Sequence, residues 1–186
     1  PVLLGKPSEI PGQAPYLQPD AALVERWKEI VRSLSGFRVG VCWHADPSPL
    51  AVPGRSFDPR YLGRLAVIPG VTLVCLQHGQ PVPADVAMKV LPGLEPGSMR
   101  LEDIAAAMMN LDLVMTCDTS ILHLAGAMGV PCWGALKFPA CWRWMLDRED
   151  SPWYPSVRLF RQAEIGRWET VFDRIAAELS RLVAER

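Results

Sequence analysis

One stretch of the chain sets hydrogen-bond donors, an acid and an imidazole at helical spacing: Asp118-Thr119-Ser120-Ile121-Leu122-His123, continuing Leu124-Ala125-Gly126-Ala127-Met128-Gly129. It follows an apolar run that ends at Cys117, so it reads as a strand turning into a helix. Thr119 or Ser120 can cap that helix, whose first N–H groups then point outward. Free donors and the helix dipole together favour an anion there. His123 lies one turn in, and helical side chains lean toward the N-terminus, so its imidazole can reach the same anion. Asp118 would repel a phosphate but can accept hydrogen bonds from a sugar hydroxyl beside it. The group suits a sugar diphosphate. The same pattern also describes an ordinary capped helix with a hydrogen-bonded histidine, and local sequence leaves both open.

Other chemistries have less support. The chain has no G-x-G-x-x-G and no Walker A sequence, which argues against dinucleotide and P-loop sites. Its five cysteines, Cys42, Cys75, Cys117, Cys132 and Cys141, form no C-x-x-C pair. They read as reduced core residues of a cytoplasmic protein. His44, His78 and His123 are far apart in sequence, so no zinc motif is formed and no metal is expected. The Asp147-Arg148-Glu149-Asp150 run reads as a solvated, self-paired turn. Trp142 and Trp144, beside Met145 and Leu146, read as core packing more readily than as a stacking platform.

The elements that must position these residues alternate. Short β-rich runs occupy Val39 to Trp43, Val71 to Leu76, Leu113 to Cys117, Pro131 to Leu136 and Val157 to Phe160. Helical periodicity covers Asp58 to Val67, Leu101 to Leu111, Thr119 to Met128 and Trp168 to Val183. An earlier helix runs from an Asp20 cap to about Ser35 and ends at Gly36. Nearly all-apolar strands alternating with helices predict an α/β, Rossmann-like parallel sheet covered on both faces. Pro7, Pro11, Pro15 and Pro19 make residues 1–20 an extended arm or interdomain linker, leaving 21–186 as the domain. Ligands of such sheets bind beyond the carboxyl ends of the strands.

Composition narrows the class further. The chain has 186 residues, 49% hydrophobic and 21% charged, with a net charge of −1. That balance excludes a polybasic nucleic-acid binder and an acidic disordered tail. Eighteen prolines, roughly twice the usual share, predict long, stiff loops. The N-terminal residues carry no targeting pattern. Ile121 to Leu136 is the most apolar run, but His123, Gly126, Gly129, Pro131 and Gly134 interrupt it, and no membrane span is expected.

Three segments carry a family resemblance. The first is Asn110-Leu111-Asp112-Leu113-Val114-Met115-Thr116-Cys117-Asp118-Thr119-Ser120 with His123-Leu124-Ala125-Gly126. The second runs from Trp142-Arg143-Trp144-Met145-Leu146-Asp147 through Pro155 to Arg158-Leu159-Phe160-Arg161-Gln162. The third is Leu76-Gln77-His78-Gly79. Over roughly Phe37 to Val183 the chain resembles bacterial glycosyltransferases linked to tetratricopeptide repeats, similar to the ADP-heptose:lipopolysaccharide heptosyltransferases.

The resemblance implies one half of a GT-B fold, the C-terminal half that binds a nucleotide-diphosphate sugar. The acceptor site and catalytic base would lie on an N-terminal domain of the full-length protein, alongside tetratricopeptide repeats. The implied reaction inverts the anomeric centre without a metal, and the nucleotide sugar is a substrate, so no cofactor is expected. Asp118, Thr119, Ser120 and His123 match the donor motif. Arg55 and Ser56 fall where the family has a basic residue and a hydroxyl, with Arg55 neutralising leaving-group charge. Gln77 falls at a strand end, where it touches the nucleoside or is a strand-terminal surface amide. Trp27 or Pro15 to Leu17 is expected to face the neighbouring domain. The chain departs from the pattern at His44-Ala45-Asp46-Pro47, where a small residue and glycine are usual, and at Ile104, where threonine is frequent. His44 then reads as a substitute phosphate contact or as a loop residue. An epimerase-type nucleotide-sugar enzyme and a non-catalytic scaffold on the same fold are the alternatives.

Overall fold

A computed structural model describes residues 14–45 and 53–186. Most of the expected arm, and the Asp46-Pro47 part of the altered loop, lie outside the described residues. Helix α1 (Ala21–Arg32) opens at Asp20, whose carboxylate accepts from Leu23 N at 3.0 Å. It stops short of Ser35, and Gly36 supplies the left-handed backbone (φ +75°) that leads into β1 (Phe37–Cys42).

Strand β2 is Val71–Cys75, β3 Leu113–Cys117, β4 Cys132–Leu136 and β5 Val157–Arg161. They form one sheet in the order β2-β1-β3-β4-β5, with every pairing parallel. Every residue of β3 and β4 is buried, as expected of central strands covered on both faces. This is the α/β Rossmann-like architecture expected from the alternating pattern.

Helix α3 (Leu101–Met108) precedes β3, α4 (Ser120–Met128) joins β3 to β4, and α5 (Trp168–Ala184) closes the chain. The expected helix from Asp58 to Val67 is instead a 3-10 turn (Pro59–Leu62) followed by a single helical turn, α2 (Gly63–Ala66). Gly63 in its middle weakens a longer helix, whereas Pro59 at the first helical position is tolerated.

Part of the first signature segment serves the fold. Asp112 accepts from Arg38 N at 2.8 Å, Arg38 Nε at 2.7 Å and Arg186 Nη1 at 2.8 Å, tying the start of β1 to β3 and to the C-terminus. Burial alone would raise the Asp112 carboxyl, but these donors outweigh it and hold it below the ordinary value. Asn110 Nδ2 donates to Val24 O and Ala106 O and so joins α1 to α3. Trp27, expected to face a neighbouring domain, is instead buried, and its Nε1 donates to Asp103 at 3.0 Å. Tyr16 and Leu17 are exposed while their backbone N–H groups bond Ala127 O at the end of α4.

All five cysteines are free, and four of them are buried. Among the described residues no helix is long and apolar enough to cross a membrane, and no cluster of three or more metal-ligating side chains occurs.

Candidate functional site

The strand order reverses between β1 and β3: the chain runs outward from β1 to β2, then returns to place β3 on the other side of β1. Loops leaving the two strands diverge there and open a crevice. A cavity of about 770 Å³ fills it. Its walls come from the end of β1 (Cys42, His44), the loop after β2 (Gln77, His78), and Thr119 and Ser120 at the head of α4, with Arg55 at one side. Met99, Leu101 and Ile104, around the start of α3, supply an apolar wall. Among the described residues no carboxylate lines this cavity, whereas Arg55 and two imidazoles do.

Thr119 caps α4, its Oγ1 accepting from Ile121 N at 3.2 Å, and a second hydrogen bond joins it to Thr116 Oγ1. The positive end of the helix therefore opens on the cavity beside Ser120. Arg55 Nη1 donates to the Asp118 carbonyl at 3.3 Å, and its buried Nε has no partner among the described residues. Ser56 does not line the cavity. Its Oγ accepts from Ala45 N at 3.0 Å, while Phe57 N bonds Trp43 O, so the two ends of the loop are pinned together.

Gln77 lines the cavity at the end of β2, and its side-chain amide is also bonded to the neighbouring backbone. Its Oε1 accepts from Trp43 N at 3.0 Å and His44 N at 2.7 Å. Its Nε2 donates to His44 O and His78 O. The buried amide is fully committed to backbone, and it clamps the β1 exit so that His44 stands at the cavity wall. Cys42 Sγ donates to the same Oε1 at 3.4 Å. Burial pushes the Cys42 thiol up to about 11, which makes it a poor nucleophile at neutral pH. Replacing Gln77 with leucine leaves several buried backbone groups without partners. We expect a loss of about 3 kcal/mol, read as a shifted urea midpoint, with alanine no better.

Asp118 and His123 stand behind the helix terminus, away from the cavity lining. Asp118 Oδ1 accepts from Trp144 Nε1 at 2.9 Å. The Trp144 indole stacks on His123 at 4.9 Å between ring centroids, and His123 Nδ1 lies 3.1 Å from the Tyr154 hydroxyl. Trp144 is fully buried, in agreement with the packing expectation, whereas Trp142 is exposed and packs edge-on against Trp153. The Arg161 guanidinium donates to the carbonyls of Trp144, Met145 and Arg148 and so holds this loop in shape. The second signature segment thus supports the first. Within the charge run Arg148 pairs with Asp150 as expected, whereas Glu149 pairs outside it with Arg158 of β5 and Arg174 of α5.

Burial pushes the His123 imidazole below its ordinary value, although Asp118 opposes this. The unfolded chain then binds the proton more tightly, so stability falls as pH drops through and below about 6.5. Urea titrations from pH 7.5 to 5 are expected to show this slope, and His123→Gln to flatten it. The Asp112 contribution runs at lower pH: it is present above its unfolded value and lost on acidification through the lowered folded one.

His78 and the apolar wall at Met99, Leu101 and Ile104 were not identified as site residues from sequence. His78 appeared only inside the third signature segment and Ile104 only as a departure from the family pattern, while Met99 and Leu101 come from segments whose approach to α4 depends on strand order.

A parallel five-stranded sheet with a cavity at its switch point defines a Rossmann-like α/β domain. No family model matches the chain. Protein FlbA of Caulobacter vibrioides (strain ATCC 19089 / CIP 103742 / CB 15) is 34% identical over 178 residues, covering 91% of this chain and 29% of that protein. Two solved structures share the fold. Escherichia coli ADP-heptose lps heptosyltransferase II superposes with a TM-score of 0.63 at 16% identity, over 91% of this chain and 53% of that one. A glycosyl transferase of family 9 from Veillonella parvula gives 0.62 at 17% identity, over 91% and 54%. The chain therefore spans less than a third of FlbA and about half of each solved neighbour.

Proposed function

We propose that this chain is the donor-binding half of an inverting, metal-independent GT-B glycosyltransferase. The observation that carries the reading is the switch-point cavity, where the head of α4 and Arg55 converge with no carboxylate among the described lining residues. The diphosphate of a nucleotide sugar lies across the N-terminus of α4, the base packs against Met99, Leu101 and Ile104, and Arg55 meets the developing negative charge. The acceptor site, the base and any tetratricopeptide repeats belong to the rest of a longer protein.

In the reaction an acceptor hydroxyl oxygen bonds to the anomeric carbon from the face opposite the phosphate. The bond from that carbon to the β-phosphate oxygen breaks, the acceptor proton passes to a base on the other half, and the nucleoside diphosphate leaves. Spanning about half of each glycosyltransferase neighbour suits this division of labour. Calorimetric titration of the chain with UDP, ADP and GDP tests it. Saturable binding of one of them, with little sugar transfer by the chain alone, is expected. Robust transfer by the chain alone contradicts the two-half reading, and interconversion of the donor without acceptor indicates an epimerase. A folded chain that binds none of the three indicates a scaffold.

A further inference from the structure

The Arg55 side chain is held at the switch-point cavity by few contacts of its own. Its Nη1 meets the Asp118 carbonyl at 3.3 Å, and its buried Nε has no partner among the described residues. The place of the guanidinium therefore depends on how the backbone delivers it. After Arg55 the chain is anchored to the exit of β1, where Ser56 Oγ accepts from Ala45 N and Phe57 N bonds Trp43 O. Before Arg55 the anchor is Lys137, the residue that follows β4.

Lys137 Nζ donates to Pro53 O at 2.9 Å, and among the described residues this is the one acceptor it meets. The Lys137 stem lies against Gly54, where an added Cβ would stand 3.7 Å from Lys137 Cδ. Gly54 takes the left-handed backbone, φ +80°, that turns the chain from Pro53 into Arg55. Lys137 is not itself a wall of the switch-point cavity. It lines a second cavity, of about 580 Å³, at the carboxyl ends of β4 and β5. Any influence it has on a ligand at the switch point therefore passes through the turn it holds.

We propose that Lys137 is a positioning residue for Arg55: it fixes the turn at Pro53 and Gly54, and with it the approach of the guanidinium to the switch-point cavity. A shift of about 1 Å is enough to take a charge-assisted contact out of hydrogen-bond range. Lys137 holds Arg55 in the free chain, and its effect on nucleotide affinity rests on the donor-binding reading.

Two variants and two readouts test this. Lys137→Met keeps a stem against Gly54 and removes the donor, whereas Lys137→Arg keeps a donor and the charge. The first readout is the Arg55 Nε–H signal in a nitrogen–proton correlation spectrum of the free, labelled chain. It is expected to move in Lys137→Met and to stay near its parent position in Lys137→Arg. The second is affinity for UDP, ADP and GDP. Loss of one hydrogen bond of ordinary strength is expected to weaken binding about fivefold in Lys137→Met. In an Arg55→Ala background the same substitution is expected to change affinity by less than about twofold, because the group it positions is gone. An Arg55 signal that Lys137→Met leaves unmoved overturns the proposal whatever the nucleotides do. So does an equal loss of affinity in both backgrounds, which would put the ammonium on the nucleotide directly. Movement of the Arg55 signal in a chain that binds none of the three nucleotides keeps Lys137 in this role and overturns the donor-binding reading instead.

Discussion

Gly126→Ala is expected to lower stability by about 3 kcal/mol, a fall of about 6–12 °C in Tm for a chain of this size. Gly126 lies in the middle of α4, where alanine would ordinarily favour the helix. Here an added methyl would lie 2.7 Å from Tyr154 Cβ and 2.8 Å from Cδ1, and closer still to Cγ. Those atoms belong to the root of the side chain and cannot swing aside as a flexible tip would. Tyr154 must withdraw, and its hydroxyl then leaves His123 Nδ1. Burial, with the Tyr16 hydroxyl beside it, already pushes the Tyr154 phenol up to about 12, so the group stays protonated throughout. The mechanism is checked by a cycle with Tyr154→Ala. Removing the ring removes the clash, so the double variant is expected to be less damaged than the two single losses predict, by at least about 1 kcal/mol. Additive losses would place the cost of Gly126→Ala somewhere other than Tyr154.

Arg55→Ala carries the largest expected effect on binding. Its only side-chain hydrogen bond among the described residues is a 3.3 Å contact to the Asp118 carbonyl, so the fold depends on it little. A diphosphate at the head of α4 would instead use the guanidinium fully. A charge-assisted contact contributes about 1.5–3 kcal/mol, so nucleoside diphosphate affinity is expected to fall about 10- to 100-fold while Tm moves little. Raising salt should weaken the parent protein more than the variant, since only the parent offers that charge. An affinity within about twofold of the parent would remove Arg55 from the site.

The periodic part of the chain was legible before any coordinates. Apolar runs at Leu113 to Cys117 and Pro131 to Leu136 mark central strands because burial on both faces requires continuous hydrophobicity. Caps are equally local, which is why Asp20 and Thr119 hold the positions their types suggest. Gln77 was harder to read, since an amide at a strand end looks the same whether it only faces a cavity or, as here, also clamps the backbone of His44. Trp27 failed for a related reason: the surface it covers includes Asp103, which is remote in sequence. The signature residues divide in the same way. Thr119 and Ser120 reach the cavity, whereas Asp112, Asn110, Trp144 and Arg161 hold the elements that place them. A motif shows which residues act together, but only the fold separates those at the ligand from those behind it.

The central claim is that an anion sits at the head of α4, within the switch-point cavity. The most direct measurement is a nitrogen–proton correlation spectrum recorded as the nucleoside diphosphate that binds is added. The account predicts that the backbone amides of Thr119, Ser120 and Ile121 shift most, together with signals from His44, Arg55 and Met99. Shifts confined to other faces of the domain, with the amides of Thr119 to Ile121 unmoved at saturation, would contradict it.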